Sequence, residues 1–134
     1  MALVFGQVKA AGKLMGQDLL QLVNAGFSKF SGKTKLKLHK GWGELSNNVL
    51  RCHIGIDVPI GCFLYVIDPY GNHKMQQKNG EWIVFDDSLY HSAINNSEKD
   101  RIVFIVDIKR PDFLHKGVSD VKDTEELKEF LKLV

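Results

Sequence analysis

The spacing of apolar residues changes character about a fifth of the way along the chain. Leu14, Met15, Leu19, Leu20, Leu22 and Val23 recur at helical intervals and Gly26 offers a stop, which predicts an amphipathic helix inside a helical N-terminal part over about 12–26. Beyond it the pattern shortens to apolar or alternating runs at 35–39, 49–56, 62–68, 81–85 and 101–108, which predict strands. The pieces between them (40–48, 57–61, 68–80 and 95–100) are rich in Gly, Pro, Asn and Asp, the residues of turns. The tail from Asp123 opens with Asp123 and Glu126 at capping-box spacing and carries Leu127, Phe130, Leu131 and Val134 on one side, so a terminal helix over about 123–134 is expected to pack on the sheet. No repeat or linker interrupts this order. The expectation is a single domain over 1–134, with an all-β core at about 34–114 and flanking helices.

Strand side chains alternate between faces, which gives two of these runs more meaning. In 50–56, Leu50, Cys52, Ile54 and Ile56 share one face and Arg51, His53 and Gly55 the other, so two basic side chains point the same way. In 101–108, Ile102, Phe104, Val106 and Ile108 oppose Arg101, Val103, Ile105 and Asp107, and both faces read as buried. An Arg at the start of such a strand needs an anion, either a protein carboxylate such as Asp107 or Asp86 or a bound ligand. Antiparallel strands covered on both sides imply a sandwich or barrel whose inner face lines a cavity.

Composition narrows the class. At 134 residues the chain has the length of one ordinary domain, and 44% hydrophobic with 25% charged residues is a globular balance. A net charge of +2 gives no reason to expect nucleic acid. No apolar run approaches the ~20 residues that cross a bilayer, and no basic stretch precedes a long apolar one at the N-terminus, so no membrane partner and a cytoplasmic setting are expected. Cys52 and Cys62 read as reduced core residues.

Five histidines supply the candidate chemistry. His39 follows one predicted strand and His91 follows another by way of Phe85-Asp-Asp-Ser-Leu-Tyr90, while His53 lies within a third. Imidazole is the commonest neutral ligand for divalent iron, and two histidines from separate strands can hold one ion and leave positions open. On spacing alone, a His near a strand end is more often a hydrogen-bonded structural residue than a ligand. Asp86 and Asp87, at a strand end beside a turn, read as backbone-bonding carboxylates, and Trp42 and Trp82 as packing residues, Trp42 with a possible place in a substrate wall.

Leu50-Arg-Cys-His-Ile-Gly-Ile56, Phe85-Asp-Asp-Ser-Leu-Tyr-His91 and Arg101-Ile-Val-Phe-Ile-Val-Asp107 with Arg110-Pro111 resemble, in order and spacing, the signature segments of the aspartyl/asparaginyl β-hydroxylases. His39 precedes Arg51 by twelve residues and His91 precedes Arg101 by ten, as in that family, and the resemblance runs from about Ser28 to Leu114. It implies a double-stranded β-helix, a cupin-like jelly-roll, and a dioxygenase that uses Fe(II), 2-oxoglutarate and O2 to hydroxylate its substrate. Residue by residue it implies iron on His39 and His91, the distal carboxylate of 2-oxoglutarate on Arg101, and further cosubstrate contacts from Arg51, His53 and Ser28. Most 2-oxoglutarate oxygenases add a carboxylate ligand two residues after the first histidine. Gly41 stands there, as in the subgroup resembled, which leaves that position vacant.

Two departures bear on function. Leu38 replaces a frequent proline, a local change, whereas the segment 68–80, with its own His73, is longer than its counterpart and is expected to form a lid or substrate-reading loop. The implied substrate is an Asp- or Asn-like peptide or amino acid. The alternatives are a non-catalytic jelly-roll binding module, with the Lys/Glu-rich terminal helix as its partner surface, a halogenase with chloride in the vacancy, and a lipid acyl-chain hydroxylase.

Overall fold

The computed structural model describes residues 22–125 together with residues 128 and 129. Among these it has eight strands, β1 (Leu22–Phe30), β2 (Thr34–His39), β3 (Val49–Asp57), β4 (Cys62–Asp68), β5 (Gly71–Gln76), β6 (Trp82–Phe85), β7 (Tyr90–Asn95) and β8 (Arg101–Lys109). One short helix, α1 (Gly43–Ser46), lies between β2 and β3. The strands form two antiparallel sheets ordered β1-β8-β3-β6 and β2-β7-β4-β5. The chain changes sheet at every connection except the β4–β5 hairpin, the winding of a double-stranded β-helix.

Facing side chains of the two sheets make the central core. Leu64 and Val66 of β4 and Ala93 of β7 pack against Ile83 and Phe85 of β6. A second cluster covers the outer side of the first sheet, where Leu50, Cys52, Val84 and Ile108 are buried with Trp82, Val106 and Leu114 against them. This is the division of faces that period-2 alternation requires of β3 and β8, and it leaves Arg51, His53, Arg101 and Asp107 turned inward. Cys52 and Cys62 are both free thiols buried in the core, and burial pushes the Cys52 thiol up to about 12.

The predicted strands at 35–39, 49–56, 62–68, 81–85 and 101–108 are all present, and three others accompany them. β1 replaces the C-terminal end of the expected N-terminal helix: Leu22–Gly26 are extended, and Gly26 pairs with Ile105. The residues before Leu22 lie outside the described ones. Helical spacing of apolar residues loses here to the ladder offered by β8, which pairs with β1 from Leu22 to Phe30. β5 corrects the expectation of a lid. Residues 71–76 pair in register with β4, from Phe63↔Gln76 to Asp68↔Gly71, and the turn is closed by Gly71 at φ 140°. β7 alternates His91, Ala93 and Asn95 inward, too polar a set to read as an apolar run. Of the expected C-terminal helix, Glu125, Lys128 and Glu129 are helical and the remainder lies outside the described residues. The Asp123 carboxylate accepts from the backbone N–H of Glu44 in α1 at 3.2 Å, and its expected capping-box partner Glu126 lies outside the described residues.

Asn95, fully buried at the end of β7, ties two turns together. Its amide nitrogen donates to the carbonyls of Phe30, Ser31 and Lys99 at 3.1, 3.2 and 2.8 Å, and its oxygen accepts from the Ser97 backbone N–H and hydroxyl at 3.0 and 2.7 Å. Asn95→Ala takes this partner from the Phe30 and Ser31 carbonyls and from the Ser97 N–H, while Ser97 Oγ still donates to the Lys99 carbonyl at 3.0 Å, so urea denaturation should show a loss of about 3 kcal/mol. A loss under about 1 kcal/mol would mean that the turns close without it.

Candidate active site

Between the sheets lies a cavity of about 260 Å³ lined by Ser28, His39, Arg51, His53, His91 and Arg101 among apolar side chains. All six residues singled out in the sequence for iron or cosubstrate thus meet in one place. Their routes differ. Ser28 comes from edge strand β1, Arg51 and His53 from β3, and Arg101 from the start of β8. His39 and His91 are directly paired across β2 and β7.

A bulge aims His39. β2 takes three steps from Leu36 to His39 where β7 takes two from Ala93 to His91, so Leu36 and His39 fall on the same inward side despite their odd spacing. The two imidazoles are 4.3 Å apart between ring centres. Each is fixed in the same manner, with His39 Nδ1 at 2.7 Å from the Lys37 carbonyl oxygen and His91 Nδ1 at 2.8 Å from that of Leu89. A carbonyl only accepts, so Nδ1 carries the hydrogen in both rings and each Nε2 keeps a free lone pair.

Asp87 was read from the sequence as a backbone-bonding carboxylate, and the structure puts it elsewhere. It is buried, takes a short hydrogen bond from Ser46 Oγ (2.5 Å), pairs with Arg51 Nη1 at 2.9 Å, and sets Oδ1 3.3 Å from His91 Nε2. With Nδ1–H committed to Leu89, the facing atoms of His91 and Asp87 are both acceptors, a contact that a cation relieves. Burial lowers the His91 pKa, opposed by the Asp87 charge and the Leu89 carbonyl. Asp87 also fills the space beside Gly41, where a Cβ would fall 1.9 Å from both Asp87 Oδ2 and Ser46 Oγ. Asp86 behaves as expected, accepting from the Ser88 N–H at 3.0 Å, and is additionally held by Arg110 at 2.6 Å.

The two arginines have opposite surroundings. Arg51 donates through Nε and Nη2 to the two oxygens of Asp107 at 2.8 and 2.9 Å, and through Nη1 to Asp87. Burial opposes its charge, but these carboxylates outweigh it and raise its pKa. Arg101 is 4% exposed and touches neither Asp107 nor Asp86, the partners a purely structural role required. Its contacts are neutral: Gln77 Oε1 at 2.9 Å and Ser28 Oγ at 3.3 Å. Burial accordingly lowers its pKa. Among the described residues, two buried nitrogens lining this cavity, Arg101 Nε and His53 Nε2, have no hydrogen-bond partner.

Gln77 is the residue that sequence reasoning missed altogether, because one more polar residue in the polar, turn-rich run Gln76-Gln-Lys-Asn79 carries no signal. Of the tryptophans, Trp82 packs on the outer cluster as expected, whereas Trp42, at the start of α1, is 43% exposed and does not.

The chain matches the family model described as "Aspartyl/Asparaginyl beta-hydroxylase" over residues 9–111. Mouse (Mus musculus) aspartate beta-hydroxylase domain-containing protein 1 is 34% identical over 91 residues, which are 66% of this chain and 23% of that protein. Ornithine lipid ester-linked acyl 2-hydroxylase of Rhizobium tropici is 34% identical over 95 residues, 71% of this chain and 32% of that protein. The chain therefore spans less than a third of the length of either relative. Among solved structures, an oxidoreductase of the 2OG-Fe(II) oxygenase family from Burkholderia pseudomallei superposes with a TM-score of 0.64 at 12% identity, covering 86% of this chain and 55% of that one. The non-heme monooxygenase ThoJ in its nickel complex does so with a TM-score of 0.60 at 15% identity, covering 92% and 66%. The jelly-roll and the motifs on its inner face thus agree with the sequence match, and the chain belongs to the aspartyl/asparaginyl β-hydroxylase family.

Proposed function

We propose that this chain is an Fe(II)- and 2-oxoglutarate-dependent dioxygenase that hydroxylates an Asp- or Asn-like residue of a peptide or amino acid. The observation that carries the reading is Arg101, a buried guanidinium with no carboxylate partner and an orphaned Nε among the described residues, in the cavity that the orphaned Nε2 of His53 also lines. An unpaired buried charge is costly, and a planar guanidinium is shaped for two parallel bonds to a carboxylate. The residues fit the metal as well. His39 and His91 each hold Nδ1 on a backbone carbonyl and turn Nε2 to the ligand side, an arrangement that orients a ring for ligation. Iron with 2-oxoglutarate would supply oxygen activation coupled to decarboxylation of the cosubstrate to succinate, with one oxygen atom going into an unactivated C–H bond.

The chain's own part is to bind and orient. His39 and His91 would hold the metal, and Arg101 with Ser28 and His53 the far end of the cosubstrate. Arg51, expected as a cosubstrate contact, is occupied by Asp107 and Asp87 and instead holds Asp87 beside His91. The carboxylate of Asp87 next to Gly41 disfavours chloride there and so weighs against a halogenase. A second substrate reading, hydroxylation of an acyl chain, draws support from the wall formed by Phe30, Leu36, Leu64, Phe85, Ala93 and Ile105, and from the name of the Rhizobium relative. Turnover assays with Asp-containing peptides against hydroxylation of lipid acyl chains would separate the two.

An anaerobic titration of metal-free protein with Fe(II) and then 2-oxoglutarate should produce the visible charge-transfer band of the chelate, weakened in His39→Ala. A protein that shows no band and binds iron loosely is a binding module. Arg101→Met should weaken 2-oxoglutarate binding roughly 10- to 100-fold, yet leave the ligand-free protein at least as stable in thermal unfolding, because it removes an unpaired buried charge. Marked destabilisation would make Arg101 a structural residue.

Gly41→Asp restores the missing carboxylate of the wider superfamily in sequence but not in space. The new side chain must displace Ser46 and Asp87, so metal affinity should fall by about tenfold or more. Tighter metal binding would show that the site has room for a third protein ligand.

A further inference from the structure

We propose that Gln77 is a positioning residue that joins Arg101 and His53 in one directional hydrogen-bond chain and thereby decides which ring nitrogen of His53 carries the proton. Gln77 is 4% exposed and lies just beyond the end of β5. Its Oε1 accepts from Arg101 Nη1 at 2.9 Å, and its Nε2 lies 3.4 Å from His53 Nδ1. Arginine has donors only, so the amide can present nothing but its oxygen to Arg101. The amide orientation is then settled, the NH2 group faces His53, and Nδ1 has to accept. A neutral imidazole has a single N–H, which must therefore sit on Nε2, the buried ring nitrogen that has no partner.

Burial first, and then the positive charges of Arg51 and Arg101, hold the His53 pKa well below its ordinary value and so keep the ring neutral. Gln77 therefore turns a histidine that would otherwise be indifferent into a neutral N–H donor next to Arg101. The pair offers an anion Arg101 Nε–H and His53 Nε2–H from fixed positions before any ligand arrives. Glutamine is required on both sides. A carboxylate at position 77 would neutralise Arg101 and accept from His53, moving its proton to Nδ1. An apolar side chain would strand both partners.

The backbone explains how a residue of the β5–β6 connection reaches so deep. Gln77 N donates to the Cys62 carbonyl at 2.9 Å, Gly80 N to that of Gly55 at 2.8 Å, and Gly55 N to that of Glu81 at 3.3 Å. This approach needs the bare Cα of Gly55, since a Cβ there would lie 2.0 Å from the Lys78 carbonyl oxygen.

The ligand half of this inference rests on the cosubstrate reading above; the tautomer half does not. The test is two-bond ¹H–¹⁵N NMR of histidine-labelled, metal-free protein, with the His53 signals assigned by their loss in His53→Asn, together with 2-oxoglutarate titration of the Mn(II)-loaded protein. Wild type should show His53 as the Nε2–H form. Gln77→Glu should show the Nδ1–H form and raise the 2-oxoglutarate Kd at least about tenfold, with Mn(II) affinity unchanged within about twofold. Gln77→Met, of nearly the same volume, should give a mixture of tautomers and decides the matter if the Glu variant does not fold. An Nε2–H signal that persists in the folded variants overturns the proposal. If the tautomer moves as expected but wild type binds no 2-oxoglutarate, the positioning role stands and the cosubstrate reading falls.

Discussion

The arrangement of the inner face depends on one buried ion cluster, Arg51 between Asp107 and Asp87. Its bidentate contact with Asp107 spans directly paired residues of β3 and β8, and its third bond reaches the loop after β6. Breaking such a cluster by removing one member leaves a buried charge uncompensated, which typically costs about 3–5 kcal/mol. Its second consequence is subtractive. With Asp107 held by Arg51 and Asp86 by Arg110, two carboxylates that could have neutralised Arg101 are already in use, and among the described residues the inner face keeps a cation without a counter-ion.

The same cluster organises the histidine end. Asp87 is pinned by Arg51 and Ser46 and so is held against His91 Nε2 and in the space beside Gly41. The glycine that looks in the sequence like a lost ligand is therefore a packing requirement: its hydrogen atom makes room for a carboxylate that arrives from another part of the chain. Spacing to the first histidine shows only that no carboxylate follows it. That Asp87, four residues before the second histidine, takes up the space depends on the turn after β6 and on α1, and neither is legible as a ligand pattern.

The strands that could be read in the sequence were those with strong apolar alternation, because burial on one face imposes period 2 on the residues themselves. β3 and β8 are the clearest cases, and their alternation placed Arg51, His53 and Arg101 on the correct side. β1, β5 and β7 escaped for separate reasons. β1 and β5 are edge strands with exposed residues at many positions, and their extended form comes from β8 and β4 rather than from their own composition. β7 turns His91, Ala93 and Asn95 inward, so function and turn-tying have taken the places where apolar residues would have signalled a strand. The bulge in β2 is a subtler loss. Regular alternation from Leu36 would send His39 outward, and the extra residue that corrects its direction is invisible without the β7 register.

The two ends of the cavity differ in how they acquire direction. At the histidine end each ring is oriented by its own strand, since Lys37 and Leu89 lie two residues before His39 and His91 and their carbonyls fix the rings locally. Short motifs can encode that, and the histidines were accordingly legible. At the Arg101 end, orientation comes from residues distant in sequence: Gln77 is 24 residues from both His53 and Arg101. The bare Cα of Gly55 allows the backbone around Lys78 to close on β3, and that closeness brings an amide between an arginine and a histidine. The histidine pair is thus oriented by local sequence, and the surroundings of Arg101 by the way the strands are packed. Substitutions in the β5–β6 connection can then alter the surroundings of Arg101 while leaving the His39–His91 pair untouched.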